Sequence, residues 1–163
     1  VAGDLALLVE WVVGKTLRKY IVTRDVPPGV TALHSILVQV ACALRYLHGQ
    51  APAIVHGDLK ASNIMIEELG PRQEPRSKLL DFGLSRIIGP KALPLGGTTA
   101  WKAPETFLRP EGAPRPSADI FAFGRITHFV VTGRKAFKDL RQEEVVAIAT
   151  KGGHEGLHWP MEA

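Results

Sequence analysis

Apolar residues recur at Leu33, Ile36, Leu37, Val40, Ala41, Leu44 and Leu47, the three-and-four spacing that turns one side of a helix toward a core. This pattern predicts a helix over residues 31–47, with Gly49 as its stop. A second apolar helix is predicted over 117–132, closed by Gly133, and a third, amphipathic one over 139–151. A short helix opens at 16–20, after a connector at 10–14, and Pro27-Pro28-Gly29 is a turn. Short continuous apolar runs mark strands. Residues 5–9 read as a buried strand, and 64–66 and 78–80 as a hairpin around the polar connection 67–77. Residues 87–97 carry Gly and Pro without periodicity and read as a loop, and 152 onward is irregular. The expected fold is mainly α with small β hairpins, an α+β class in one domain.

Composition adds limits. The 163 residues are 45% hydrophobic and 22% charged, ordinary for one globular domain. The formal charge of +4 is spread along the chain with no block of like charges, so no nucleic-acid partner is expected. The single cysteine, Cys42, fits a reducing compartment, and its place in an apolar helix predicts a buried thiol. The most apolar late stretch, 120–131, is interrupted by Arg125 and His128 and is too short to cross a bilayer, so no membrane segment is expected. The opening on Val1 inside an apolar run reads as an internal edge.

Chemistry concentrates in His56-Gly57-Asp58-Leu59-Lys60-Ala61-Ser62-Asn63, between the first long helix and the first hairpin strand. Phosphoryl transfer needs a carboxylate to take a hydroxyl proton, a cation near the moving phosphate and oxygen ligands for magnesium. Asp58, Lys60 and Asn63 supply those types within one loop, and Asp81, at the end of the second hairpin strand, supplies another carboxylate. Asn63 and Asp81 are the candidate Mg²⁺ ligands.

These residues resemble the eukaryotic protein kinases. Residues 56–63 resemble the catalytic loop H-R-D-L-x-x-x-N, and Asp81-Phe82-Gly83 matches D-F-G. Ala103-Pro104-Glu105 matches A-P-E and follows Gly97-Thr98-Thr99-Ala100-Trp101, which is similar to the family's substrate-docking loop. Residues 119–124 resemble the start of its buried central helix. Each motif alone is weak, but four in the family's order cover nearly the whole chain. The resemblance implies a kinase C-terminal lobe (residues 15–163, incomplete at its far end) behind the last strand and hinge of the other lobe (5–14). It also implies ATP and Mg²⁺ as cofactors and a protein substrate with a Ser or Thr hydroxyl. Asp58 would be the catalytic base, Lys60 would steady the phosphate, Thr98 would brace both, and Asn63 and Asp81 would bind metal. Val9 would stand at the gatekeeper position, backbone groups of Glu10 and Val12 would face adenine from the hinge, and Met65 would lie beneath it. His56 and Phe82 would stack in the column joining the lobes, and Asp119 would hold the catalytic loop by its amides. For Val9, Met65, Phe82 and Asp119, core packing or capping is an equal description. The form Asp58-Leu59-Lys60 resembles serine/threonine kinases, and Tyr46-Leu47-His48 with Leu84-Ser85-Arg86 resembles the tyrosine-kinase-like branch and plant receptor-like kinases. A cytoplasmic location follows, alone or as the cytoplasmic part of a receptor-like protein.

The sequence departs from the family in places. Gly57 replaces the usual arginine, which pairs with an activation-loop phosphate, and 87–97 holds no Ser, Thr or Tyr. No glycine-rich loop, V-A-I-K lysine or partner glutamate precedes Leu5, and the arginine that commonly pairs with the A-P-E glutamate is not present, so the chain alone is expected to be inactive. Gly14-Lys15-Thr16 is no P-loop, because Val9 stands where its first glycine belongs. His154 and His158 share a ligand spacing without a third ligand beside them. Two functions stay open: a kinase, and a pseudokinase-like binding module that keeps the fold as a docking surface.

Overall fold

Helix α2 (Val30–His48) forms where the three-and-four spacing predicts, and its stripe of Ile36, Val40, Leu44 and Leu47 is buried. The amide of Gly49 caps the last turn by donating to Arg45 O at 3.0 Å. The computed structural model describes residues 8–23, 27–70, 73–89 and 92–151. Helix α4 (Pro116–Thr132) starts with proline in its first turn, where a missing N–H costs nothing, and ends on left-handed Gly133 at φ 67°. Ile126, Phe129 and Val130 of α4 share one core with Ile36, Val40 and Leu44 of α2. Each such side chain contributes roughly 2 kcal/mol by leaving water. By length and mean hydropathy (1.5) α2 is also apolar enough to cross a membrane; here its buried stripe is part of this core.

Before α2, the strand pair of β1 (Lys15–Thr16) leads into helix α1 (Leu17–Val22), capped by Thr16 Oγ1, which accepts from the Lys19 amide at 3.3 Å. Strand β2 (Ile54–Val55) follows α2, and the hairpin β3 (Ile64–Glu67) and β4 (Arg76–Leu79) follows that. The three-stranded sheet runs β1-β3-β4, all antiparallel, with Thr16 opposite Met65 and Met65 opposite Lys78. Period two sends Ile64 and Ile66 into the core and leaves Met65 and Glu67 half-buried on the other face. Strand β5 (Arg86–Ile87) pairs with β2, Ile54 opposite Ile87. A single 3₁₀ turn (Thr99–Trp101) then precedes the short helix α3 (Pro104–Leu108). Helix α5 (Gln142–Thr150) packs Val145 against Ala136 and Phe137 in a small satellite core.

Four expectations change. Cys42 is exposed, not buried, because it sits on the outer side of α2. Of the strand expected at 5–9, residues 5–7 lie outside the described residues, while Leu8 and Val9 form no strand and are 98% and 70% exposed. Helix α5 begins at Gln142 rather than 139, since 136–140 is turn and Phe137 takes a positive φ of 58°. The pairs involving β1, β2 and β5 were not expected. Residues 152–163, with both tail histidines, lie outside the described residues.

Candidate active site

Strand β2 delivers His56 and Gly57 directly over the first turn of α4. There the buried Asp119 carboxylate accepts the His56 amide on Oδ2 at 2.8 Å and the Gly57 amide on Oδ1 at 3.0 Å. His48 Nε2, from the last turn of α2, donates to the same Oδ2 at 2.8 Å. A carboxylate only 1% exposed is tolerable because three donors meet it. The Asp58 amide donates to His56 Nδ1 at 3.3 Å, so the ring proton sits on Nε2 and is donated to Leu80 O at 3.0 Å. That bond ties the loop to the end of β4. The His56 ring also lies 5.0 Å from that of Phe82, and Ser85 Oγ donates to His56 O at 3.0 Å. Gly57 has φ 80°, and a Cβ there would sit 2.6 Å from Leu84 O, so the turn needs glycine.

Asp58, 7% exposed, gathers four polar contacts. Its Oδ1 accepts from the Thr98 amide at 3.0 Å and from Thr98 Oγ1 at 2.9 Å. Its Oδ2 accepts from Lys60 Nζ at 2.5 Å and from Asn63 Nδ2 at 3.3 Å. Lys60 also donates to Thr98 Oγ1 at 3.0 Å, and Asn63 Nδ2 to Asp58 O at 2.9 Å. Asp58, Lys60, Asn63 and Thr98, expected from sequence to act together, are thus one hydrogen-bonded group. Asp81 follows β4 with φ 62° and an exposed carboxylate whose Oδ1 accepts the Gly83 amide at 3.3 Å.

A family model described as "Protein kinase domain" matches residues 2–159. The chain belongs to the protein kinase domain family. It is 38% identical over 69% of its length to the L-type lectin-domain containing receptor kinase IX.1 of Arabidopsis thaliana, of which it covers 17%. It is 34% identical over 90% of its length to mitogen-activated protein kinase kinase kinase 10 of Mus musculus, covering 15% of that protein. With death-associated protein kinase dapk-1 of Caenorhabditis elegans it shares 31% identity over 92% of its length, covering 10%. It therefore spans no more than about a fifth of these relatives.

Other parts of the kinase domain carry residues without a motif. On the outer face of its hairpin, Lys78 forms ion pairs with Glu10 and, at 3.3 Å, with Glu67. The bond to Glu10 is the largest influence and raises the lysine pKa; desolvation pulls the other way, and the bond to Glu67 adds to the rise. Met65 is opposite Lys78 on this face, so Glu10 and Met65 lie on the same side of the sheet. Val9 is exposed and Val12 half-buried on the segment that Glu10 anchors. Glu105, in α3, accepts from Ser117 Oγ at 3.2 Å. A cavity of about 330 Å³ opens beside it, lined also by Leu95, Arg109 and Arg115; none of Asp58, Lys60, Asn63 or Thr98 lines it. Arg125, which reads in sequence only as a charge interrupting an apolar helix, is 5% exposed and donates to Ala100 O. Lys78 and Arg125 had no motif to announce them, and His48 entered only as part of Tyr46-Leu47-His48, with no role attached; for Arg125 the signal is a charge in an apolar helix.

Proposed function

We propose that this domain transfers the γ-phosphoryl group of ATP to a serine or threonine hydroxyl of a protein, with Asp58 as the base. The observation that carries this is the closed network of Asp58, Lys60, Asn63 and Thr98. Asp58 accepts the hydroxyl proton as the oxygen attacks. Its oxygens are occupied in this structure, and Lys60 is the partner best able to leave. A flexible ammonium stem swings onto a phosphate and frees Oδ2 for the incoming hydroxyl. Thr98 holds Oδ1 by two bonds and keeps the carboxylate plane fixed meanwhile.

The donor set fits magnesium. Asn63 directs its amide NH₂ at Asp58, which leaves its carbonyl oxygen for a hard cation, and Asp81 has an exposed carboxylate. Mg²⁺ takes few protein ligands and completes its shell with water and phosphate oxygens, and no cluster of three or more His, Cys, Asp or Glu exists among the described residues. When bound, the ion neutralises charge on the transferring phosphates. Val9, Glu10, Val12 and Met65 hold the adenine, and the Lys78–Glu10 pair sets the segment that carries the first three. Likeness to receptor kinases and to kinase kinase kinases supports a signalling role on the cytoplasmic side.

The test is phosphate transfer from ATP to a generic protein acceptor by the full-length protein, with the product mapped by mass spectrometry. Asp58→Asn is expected to lower kcat by about 10²–10⁴-fold. The 163 residues alone are expected to turn over no faster than their Asp81→Asn variant, because they hold the phosphates from one side. Phosphotyrosine as the sole product would refute the Ser/Thr reading. Nucleotide binding without turnover by the full-length protein would favour the binding module, which the intact network argues against.

A further inference from the structure

Arg125 is the one buried cation of α4, and among the described residues no ion pair includes it. Burial of an uncompensated guanidinium is costly, and it pushes the Arg125 pKa down to about 10. An apolar residue here would continue the periodicity of α4 without that cost. What the side chain gains instead is specific. Nη1 donates to Ala100 O. The guanidinium carbon lies 4.7 Å from the Phe121 ring centre and 4.5 Å from that of Phe137, so rings flank the cation. Phe137 holds a left-handed backbone at φ 58° in this position, a conformation costing on the order of 1 kcal/mol or more for a side-chain-bearing residue.

Ala100 is the middle of the 3₁₀ turn Thr99–Trp101, directly after Thr98. The Trp101 amide closes that turn on Thr98 O at 2.9 Å, and the Trp101 ring meets Phe129 of α4 edge-on at 6.3 Å. Thr98, itself exposed, has its amide and hydroxyl both on Asp58 Oδ1. A continuous line of contacts therefore runs from Arg125 through Ala100 and Thr98 to the Asp58 carboxylate.

We propose that Arg125 is a positioning residue: by holding the Ala100 carbonyl it fixes the 3₁₀ turn, so that Thr98 keeps both of its hydrogen bonds to Asp58. Its catalytic consequence rests on the reading of Asp58 as the base; its structural consequence does not. The measurement is amide hydrogen exchange, resolved by residue, in the full chain. Arg125→Met keeps the bulk and removes the donor. Arg125→Gln ends two bonds short of Ala100 and is the second loss variant should the first not fold. Arg125→Lys retains a donor of nearly full reach. Loss of one restraining hydrogen bond is expected to speed exchange at Thr98 and Trp101 by about tenfold. Exchange in α2, at Val40 and Leu44, is expected to stay within about twofold in the same variants, with Arg125→Lys returning most of the Thr98 protection. In turnover, kcat is expected to fall while the KM for ATP holds. Unchanged exchange at Thr98 in a folded loss variant overturns the proposal. So does an increase spread evenly over α2 and α4, or a loss that Arg125→Lys does not restore. If the wild type shows no turnover, the kinase reading fails and the exchange comparison still decides the role of Arg125.

Discussion

Asp119 performs no proton transfer in the proposed chemistry, yet the catalytic loop hangs on it. Two adjacent backbone amides of the loop and a histidine of α2 converge on its two oxygens, so the side chain acts as a bolt joining α4 to α2 and the loop. In Asp119→Asn one acceptor becomes an NH₂ group. Whichever way the amide turns, a donor then faces a donor in a site that water does not reach. The expected cost is about 3 kcal/mol in urea unfolding, well above the few tenths typical of a surface Asp→Asn change. A cost near zero would mean that the loop is held by Ser85 and Leu80 alone. At this scale the sequence was most informative where chemistry is contiguous. Asp58, Lys60 and Asn63 lie within one short loop, so their convergence follows from chain connectivity. Thr98 was assigned through the resemblance. Arg125 was illegible, because its partner is a backbone carbonyl, and any residue at position 100 presents one.

Among elements, the long helices were legible and the shortest strands were not. The 31–47 prediction for α2 and the 117–132 prediction for α4 each fall within a residue of the observed ends, since a period of 3.6 repeats several times in each. β1, β2 and β5 are two residues long, too short to show a period of two; they exist because each pairs with a neighbour supplied by the fold. Cys42 was misplaced because α2 is apolar around much of its circumference. Two residues advance a helix by about 200°, which sets Cys42 across the axis from buried Val40. The hairpin carries a prediction of its own. Lys78 tethers residues 8–13 to β4 through Glu10, and its raised pKa means the folded state favours the ammonium. That contribution is complete below the ordinary lysine value of 10.5 and fades only as pH climbs through the raised one. The tether should therefore be constant across neutral pH. Lys78→Met is expected to speed proteolytic cleavage within residues 8–13 severalfold while leaving amide exchange in β3 unaffected. Cleavage in that segment that is indifferent to the substitution would show that Val12 packing alone anchors it.

For the molecule as a whole, the absent hydroxyls and the arginine replaced by Gly57 belong to one arrangement. Guanidinium–phosphate pairing orders a loop by charge; here the described residues on either side of 90–91 are held by packing and backbone bonds. β5 pairs with β2, and the Ile88 amide donates to Ala53 O at 2.8 Å. Leu84 covers Gly96, its Cδ1 within 3.2 Å of where a Cβ would project, and Leu95 reaches to 3.0 Å of the corresponding point on Gly57. An arginine at 57 would need the space that Leu84 O and Leu95 occupy, so the glycine and the apolar cover require each other. Thr98 then closes the segment on Asp58. Order supplied this way does not depend on a modifying enzyme. Turnover of the full-length protein is therefore expected to change by less than about twofold after exhaustive phosphatase treatment. Leu95→Ala, which opens the cover without touching a hydroxyl, is expected to lower turnover severalfold and, because Leu95 is only half-buried, to cost about 1 kcal/mol of stability. The flanking hydroxyls Ser85, Thr98 and Thr99 make the idea vulnerable. Collapse of the rate on dephosphorylation, with the lost phosphate mapped to any of those three, would mean that charge orders this segment after all.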